Sequence, residues 1–290
     1  MATQPRKSRS VIVTGGASGL GKAMSAYFAA LGDAVTILDI DEAGGAAVSA
    51  ELGGGEEGGS NVGFRRCDIS SWAEQAAAFK AVYEGAGRVD VVVANAGVSE
   101  GGRSWVVPPA PGRGALGDEP EEPRLKVLDV NLIGNVYSVK LALHYMQRNT
   151  QDATTGLRGC IVCTASSVGL YPFPPQPLYA ASKHGIVGLV RSLGPVYGLP
   201  HVGIRINALA PAALESNIAG PHAFYRNLVM TPHSTLIAGL ERLLTDTALN
   251  GQVAEIHGES VTLRPPHEVV DADSRHNLVE FGRGTDVEVV

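Results

Sequence analysis

Aromatic residues are scarce, at 6% of 290, so a buried core has to be built mainly from aliphatic side chains. Cysteine is scarcer still. Cys67, Cys160 and Cys163 cannot pair evenly, which argues against a disulfide scaffold and for a reducing compartment. The sequence has no Asn-x-Ser/Thr sequon, and Met1 to Arg9 carries no apolar stretch of the kind a secretory leader needs. No apolar run reaches the roughly 18–20 residues of a membrane span. A basic excess is missing as well: the formal charge is −6, where a nucleic-acid or acidic-membrane binder would show a basic stripe. The small cluster Arg6, Lys7 and Arg9 reads as a solvated tail. These absences lead us to expect a soluble, cytoplasmic protein without nucleic-acid or membrane partners.

Glycine is in excess, at 36 of 290 residues or about 12%, against a usual ~7%. It does not recur at every third position, and the aliphatic content is too high for general disorder. The explanation must therefore be local. Strand-like runs at Ser10–Thr14, Ala34–Leu38, Val62–Arg66, Val89–Ala94, Gly159–Thr164, Gly203–Ala208 and Gln252–His257 alternate with helical segments. The helices are expected at Leu20–Leu31, Glu42–Leu52, Trp72–Tyr83, about Arg124–Arg148, Leu178–Tyr197 and Ser234–Leu244. Apolar runs without strict alternation suit strands covered on both faces. The pattern predicts an α/β fold with a doubly wound parallel sheet of about seven strands. Polar Gly53–Gly59, the Gly/Pro-rich segment 99–123 and a charged tail at 258–290 fall outside the alternation.

Between the first strand and helix lies Thr14-Gly15-Gly16-Ala17-Ser18-Gly19-Leu20-Gly21. Backbone N–H groups and a helix N-terminus at this place can receive a pyrophosphate, and glycine lets the backbone approach it closely. The second strand ends in Leu38-Asp39-Ile40-Asp41. A carboxylate at Asp39 accepts hydrogen bonds from ribose hydroxyls and repels a 2′-phosphate, and no Lys or Arg stands at Ala17, Ser18 or Ile40. NAD is therefore expected over NADP. Asp39 could instead cap the following helix, a role also open to Asp41.

Tyr179 and Lys183 are four residues apart, so on a helix both side chains share a face. A phenol with a pKa of about 10 is a poor base near neutrality. A neighbouring ammonium favours the phenolate and lowers that pKa. Taken together, Thr14-Gly15-x-x-x-Gly19-x-Gly21, Asp68, Asn95-Ala96-Gly97, Asn131, Ser166 and Tyr179-x-x-x-Lys183 resemble the short-chain dehydrogenase/reductase family over roughly residues 8–257. The run from Gln176 to Gly188 looks most like the branch containing 15-hydroxyprostaglandin dehydrogenases and fungal NAD-dependent members.

The resemblance implies one Rossmann-type domain over 1–290, with Asn131, Ser166, Tyr179 and Lys183 as the catalytic set. It implies nucleotide contacts from Gly15, Ser18, Gly19, Leu20, Asp39 and Ile40, and from Asp68 and Ile69 near adenine. Asn95, Ala96 and Gly97 would lie along the ribose, which Lys183 would also hold, beside Tyr179. Pro211, Ala213 and Ser216 would flank the nicotinamide, although the family's usual Pro-Gly is here Pro211-Ala212. Ser166, Gln176 and Tyr179 would meet the substrate. Ser167 is a rival to Ser166, and alternation on a strand would send only one of the two toward the site; the resemblance favours Ser166, thirteen residues before Tyr179, the family's usual interval.

Cys160-x-x-Cys163 is discounted as a metal or redox motif because i and i+3 on a strand face opposite sides. His184 is read as packing or interface, and Gly185 and Gly188 as permitting close approach of a partner helix in a homodimer or homotetramer. Segment 212–233, with Phe224, Tyr225, Leu228, Val229 and Met230, and segment 99–123, with Trp105, Val106 and Val107, are expected to shape a pocket for a lipophilic secondary alcohol or ketone. Two other readings stay open: a non-redox cyclase or epimerase on the same scaffold, and a nucleotide-sensing protein without turnover.

Overall fold

The computed structural model describes residues 7–54, 61–101, 104, 106–107, 119–216, 218 and 227–283. Among them, one sheet holds β1 (Ser10–Thr14), β2 (Ala34–Asp39), β3 (Val62–Arg66), β4 (Val91–Ala94), β5 (Gly159–Thr164), β6 (Ile204–Pro211), β7 (Val253–His257) and β8 (Ser260–Arg264). The order is β3-β2-β1-β4-β5-β6-β7-β8. The first seven strands are parallel and β8 runs antiparallel to β7. Strand order reverses between β1 and β4, which places a crevice at their carboxyl ends.

The helices are α1 (Gly19–Ala30), α2 (Glu42–Gly53), α3 (Trp72–Ala86), α4 (Lys126–Leu128), α5 (Asn135–Met146), α6 (Pro177–Tyr197), α7 (His233–Thr245) and α8 (Ala272–Arg283). Successive strand residues feed two cores. Val11 and Val13 pack with Met24 and Phe28 of α1 and Leu236 and Leu240 of α7. Ile12 packs on the other face with Phe79 of α3, Met146 of α5 and Val190 of α6. Each such fully buried side chain contributes about 1.5–3 kcal/mol, which is why aliphatic residues suffice here. Cys160 lies in the first core and Cys163 in the second, as strand alternation requires. Burial raises both thiols, Cys163 to about 12.

Three departures from the sequence reading have physical causes. The helix expected over 124–148 is divided: α4 leads into a π-helical segment, Asp129–Gly134, before α5 begins. The wider turn is held from outside by Gln75, whose Nε2 donates to the Gly134 carbonyl at 2.8 Å. The charged tail contains β8, joined to β7 by a turn through Gly258 at φ +51°. Val261 and Leu263 alternate inward onto the core, a period-2 signal that the charged neighbours mask. The tail also forms α8, started by Asp271 accepting the Ser274 N–H at 2.7 Å. None of its residues is buried.

Candidate active site

The Gly-rich turn is stitched to β4 before any ligand is considered. The Thr14 hydroxyl accepts the N–H groups of Asn95 (2.9 Å) and Ala96 (3.1 Å). The Asn95 side chain donates to the carbonyls of Thr14 and Gly15, and its Oδ1 accepts from the Thr164 hydroxyl. Gly15 sits at φ +67°, and a Cβ there would come within 2.7 Å of the Ala96 Cα. At Gly21 a Cβ would collide with the Gly15 carbonyl. Gly19, at φ +50°, lies against Ser216. Ser18 precedes α1 without capping it through its side chain, and α1 has no acidic residue in its first turn; Leu20 follows in that turn. This is a cradle that side chains would fill, and it fits a pyrophosphate.

Asp39 faces that cradle. Its carboxylate accepts the Ala17 N–H at 3.0 Å and the Asp41 N–H at 3.0 Å. The helix-cap role belongs to Asp41, which accepts the Gly44 N–H. Ile40 is exposed. Asp68 accepts the hydroxyl and N–H of Ser70, and these bonds hold its carboxyl below the usual range. Ile69, beside it, is buried.

Across the crevice, Asn131 sits buried in the π-helical segment. It grips one residue of the opposite loop twice: Oδ1 accepts the Val98 N–H at 2.8 Å, and Nδ2 donates to the Val98 carbonyl at 2.9 Å. Nδ2 also donates to the Ser182 hydroxyl. A Cβ at Gly97 would lie 3.2 Å from Asn131 Oδ1 and 3.5 Å from Lys183 Nζ, so Gly97 marks where the β4 loop meets the catalytic set. Lys183 is buried, donates to the Thr164 carbonyl at 2.8 Å, and lies 5.7 Å from the Tyr179 ring centre. Desolvation lowers its ammonium to about 8.

The Ser166 side chain neighbours the phenol of Tyr179. Burial raises the phenol's pKa and the Ser166 hydroxyl opposes that rise. The Lys183 ammonium is engaged by the Thr164 carbonyl and disfavoured by its own burial. Ser166 and Ser167 both lie beyond the end of β5, so strand alternation does not separate them, and it is Ser166 that neighbours the phenol. Ser166 accepts the Val168 N–H at the start of a 3-10 turn, and its hydroxyl donates to the Pro211 carbonyl at 3.4 Å.

A family model described as short chain dehydrogenase matches residues 9–223. The chain belongs to this family. The chain is 36% identical over 272 residues to short-chain dehydrogenase/reductase prx4 of Penicillium roqueforti, covering 92% of this chain and 71% of that one. It is 30% identical to human 15-hydroxyprostaglandin dehydrogenase [NAD(+)], covering 84% and 89%. Among solved structures it is similar to a variant of actinorhodin polyketide ketoreductase with NADPH, at 27% identity and TM-score 0.70, covering 89% and 98%. Nicotinamide cofactors are thus the family's, in both the NAD and NADP forms.

The structure also places residues of the chain that its sequence did not single out. Gln75, fully buried, donates to the carbonyls of Ile69 and Gly134 and accepts from the Ser138 hydroxyl. It thereby joins the adenine-side loop to the π-helical segment. Glu100 is buried between the β4 loop and α6. Neither belongs to a spacing motif; each is defined by partners distant in the chain.

On the substrate side, Gln176 stands at the N-terminus of α6. Pro211 ends β6, and the loop after it is pinned by Ala212 donating to Ile256 and Ala213 accepting from Thr231. Val106, Val107, Leu228 and Val229 are exposed, while Trp105, Phe224 and Tyr225 lie outside the described residues. His184 is exposed and bonds the Ala180 carbonyl. Gly185 approaches Leu132 of its own chain, whereas Gly188 has open space around it. Among the described residues there is no group of three metal-ligating side chains, and no helix is long and apolar enough to cross a membrane.

Proposed function

We propose that the chain is an NAD(H)-dependent oxidoreductase that interconverts a secondary alcohol and a ketone on a hydrophobic small molecule. The observation that carries the reading is the convergence of Tyr179, with Ser166 beside its phenol, and buried Lys183 one helical turn on, next to the Gly-rich cradle. Gly15, Ser18, Gly19, Leu20 and the Asn95–Gly97 loop would hold the dinucleotide, with Pro211, Ala213 and Ser216 at its other end. The nicotinamide nucleotide, when bound, supplies or accepts the hydride.

The chain's own groups handle the proton. In the reductive direction Tyr179 donates its phenolic proton to the carbonyl oxygen while Ser166 holds that oxygen by a hydrogen bond. In the oxidative direction Tyr179 takes the hydroxyl proton. A phenol raised by burial is protonated near neutrality and so ready to donate. Alcohol oxidation should therefore accelerate as pH rises, and ketone reduction should not. Lys183 would hold the ribose, and Asn131 would orient a water that carries the proton onward.

The Asp39 carboxylate, turned to the cradle with exposed Ile40 beside it, supports NAD over NADP. Exposed valines in both flanking segments support a lipophilic substrate, and the likeness to a polyketide ketoreductase supports a secondary metabolite. The open surface at Gly188 supports a homodimer or homotetramer, and the whole chain is read as one cytoplasmic domain.

The test is NADH-linked turnover of a panel of lipophilic ketones by the native chain and by Tyr179→Phe. The variant should lose at least about 10³-fold in turnover while still binding NADH. Retained turnover in the variant would overturn the mechanism. Product formed without change in nicotinamide absorbance would point instead to a cyclase or epimerase. Tighter binding of NADPH than of NADH would overturn the Asp39 argument.

A further inference from the structure

The N-terminus of α6 is the point from which the catalytic helix presents Tyr179, and it lacks a local cap. Gln176 occupies the capping position but makes no side-chain cap bond, and Pro177 follows it. Proline has no N–H to satisfy, so the first exposed donors of the helix come later, Tyr179 among them. The Tyr179 N–H is taken by Glu100 Oε1 at 2.9 Å, from 79 residues away. In return the Glu100 N–H donates to Gln176 Oε1 at 3.3 Å. This is the reciprocal pattern of a capping box, built between two distant segments of the chain.

We propose that Glu100 is a positioning residue for the catalytic helix, locking the loop after β4 to the first turn of α6 and so setting where Tyr179 and the Gln176 amide stand. The proposal rests on the dehydrogenase reading for what Tyr179 does, but not for how it is held. Glu100 is only 7% exposed, and its second carboxylate oxygen, Oε2, is buried without a hydrogen-bond partner. A buried unpaired carboxylate oxygen is unfavourable, so the residue is not an ordinary solvated glutamate that happens to lie near a helix. Its negative charge also suits the positive end of a helix macrodipole. Because Gln176 Oε1 is engaged, the amide is left with its Nε2 as the group to offer a substrate. That group is a donor, matched to a carbonyl or hydroxyl oxygen. Glu100 lies at the start of the Gly/Pro-rich segment 99–123, so the same contact anchors that segment's base to the catalytic helix.

The experiment places 3-fluorotyrosine at position 179 and follows its 19F resonance against pH in the full chain, with no turnover required. Removing the acceptor with Glu100→Ala should loosen the first turn and admit water to the phenol. Its titration should then fall by about one pH unit toward that of free 3-fluorotyrosine. Glu100→Gln keeps an acceptor at the same reach and should shift the midpoint by less than about a third of that. Should the alanine variant fail to fold, Glu100→Leu, close in volume and without an acceptor, is read in its place. An unmoved midpoint in the acceptor-less variant overturns the proposal. So does a Glu100→Gln shift as large as that of Glu100→Ala, which would assign the effect to charge. The dehydrogenase reading is tested separately, by the turnover of Tyr179→Phe.

Discussion

The β1–α1 turn and the β4–α4 connection leave the same edge of the sheet from adjacent parallel strands, yet they are held by different means. The first is four residues long and is shaped mainly by backbone conformation, with Gly15 and Gly19 at a left-handed φ and Gly21 where no Cβ fits, and is braced by the Asn95 and Asp39 side chains. The second runs for about thirty residues, and its described start is fixed by side chains reaching in from distant segments. Asn131 grips Val98 from both sides, and Glu100 reaches across to α6. The contrast separates two tasks. A nucleotide phosphate presents the same shape to every member of such a fold, so backbone geometry can receive it. The substrate side is assembled from tertiary side-chain contacts, which other sequences can replace.

Substitutions should respect that division. The largest effect is expected at Gly15→Val, which forces a side chain into a left-handed φ and against Ala96. We expect a cost of roughly 1–3 kcal/mol in stability and a loss of NADH affinity on the order of 100-fold, read by fluorescence titration and thermal unfolding. Asn131→Ala cuts both bonds to Val98 and should cost about 2 kcal/mol, with turnover falling while NADH affinity stays within about threefold. Equal losses of NADH affinity in the two variants would dissolve the comparison.

Lys183 sits where the two connections meet, and its burial has a readable pH signature. Its folded pKa of about 8 lies below the ordinary 10.5, so the unfolded chain binds more protons between those values. Its burial penalty is complete below pH 8 and is relieved as pH rises to 10.5. The stability of the native chain relative to Lys183→Met should therefore rise by about 1 kcal/mol per pH unit in that window. A flat difference between pH 8 and 10.5 would show the ammonium to be better solvated than its burial indicates. The smallest effect belongs to Ile40→Arg, an exposed position at the rim of the cradle. It should shift the NADPH-to-NADH affinity ratio upward by about three- to tenfold.

Much of the nucleotide side was legible in the residues themselves. The turn after β1, the aspartate ending β2 and the Asn-Ala-Gly after β4 are short-range patterns whose meaning depends on neighbours in the chain. Cys160 and Cys163 were separable for the same reason, because strand alternation alone sends them into different cores. Strand alternation does not separate Ser166 from Ser167, because both lie past the end of β5; the thirteen-residue interval to Tyr179 is what singled out Ser166. Gln75 and Glu100 were not legible, since an isolated Gln or Glu in a helix or loop carries no pattern. The β8 strand was legible in principle, through Gly258 and the inward Val261 and Leu263, and was obscured by the polar residues between them.

By itself the sequence determined the alternation of strand and helix, the two-faced aliphatic core and the glycine cradle. These follow from periodicity and backbone sterics acting over a few residues. Only the tertiary structure decided which groups reach across the crevice: Asn131 to Val98 and Glu100 to the first turn of α6. These contacts join segments 33 and 79 residues apart. At such separations, packing rather than local conformation sets which polar groups must satisfy one another.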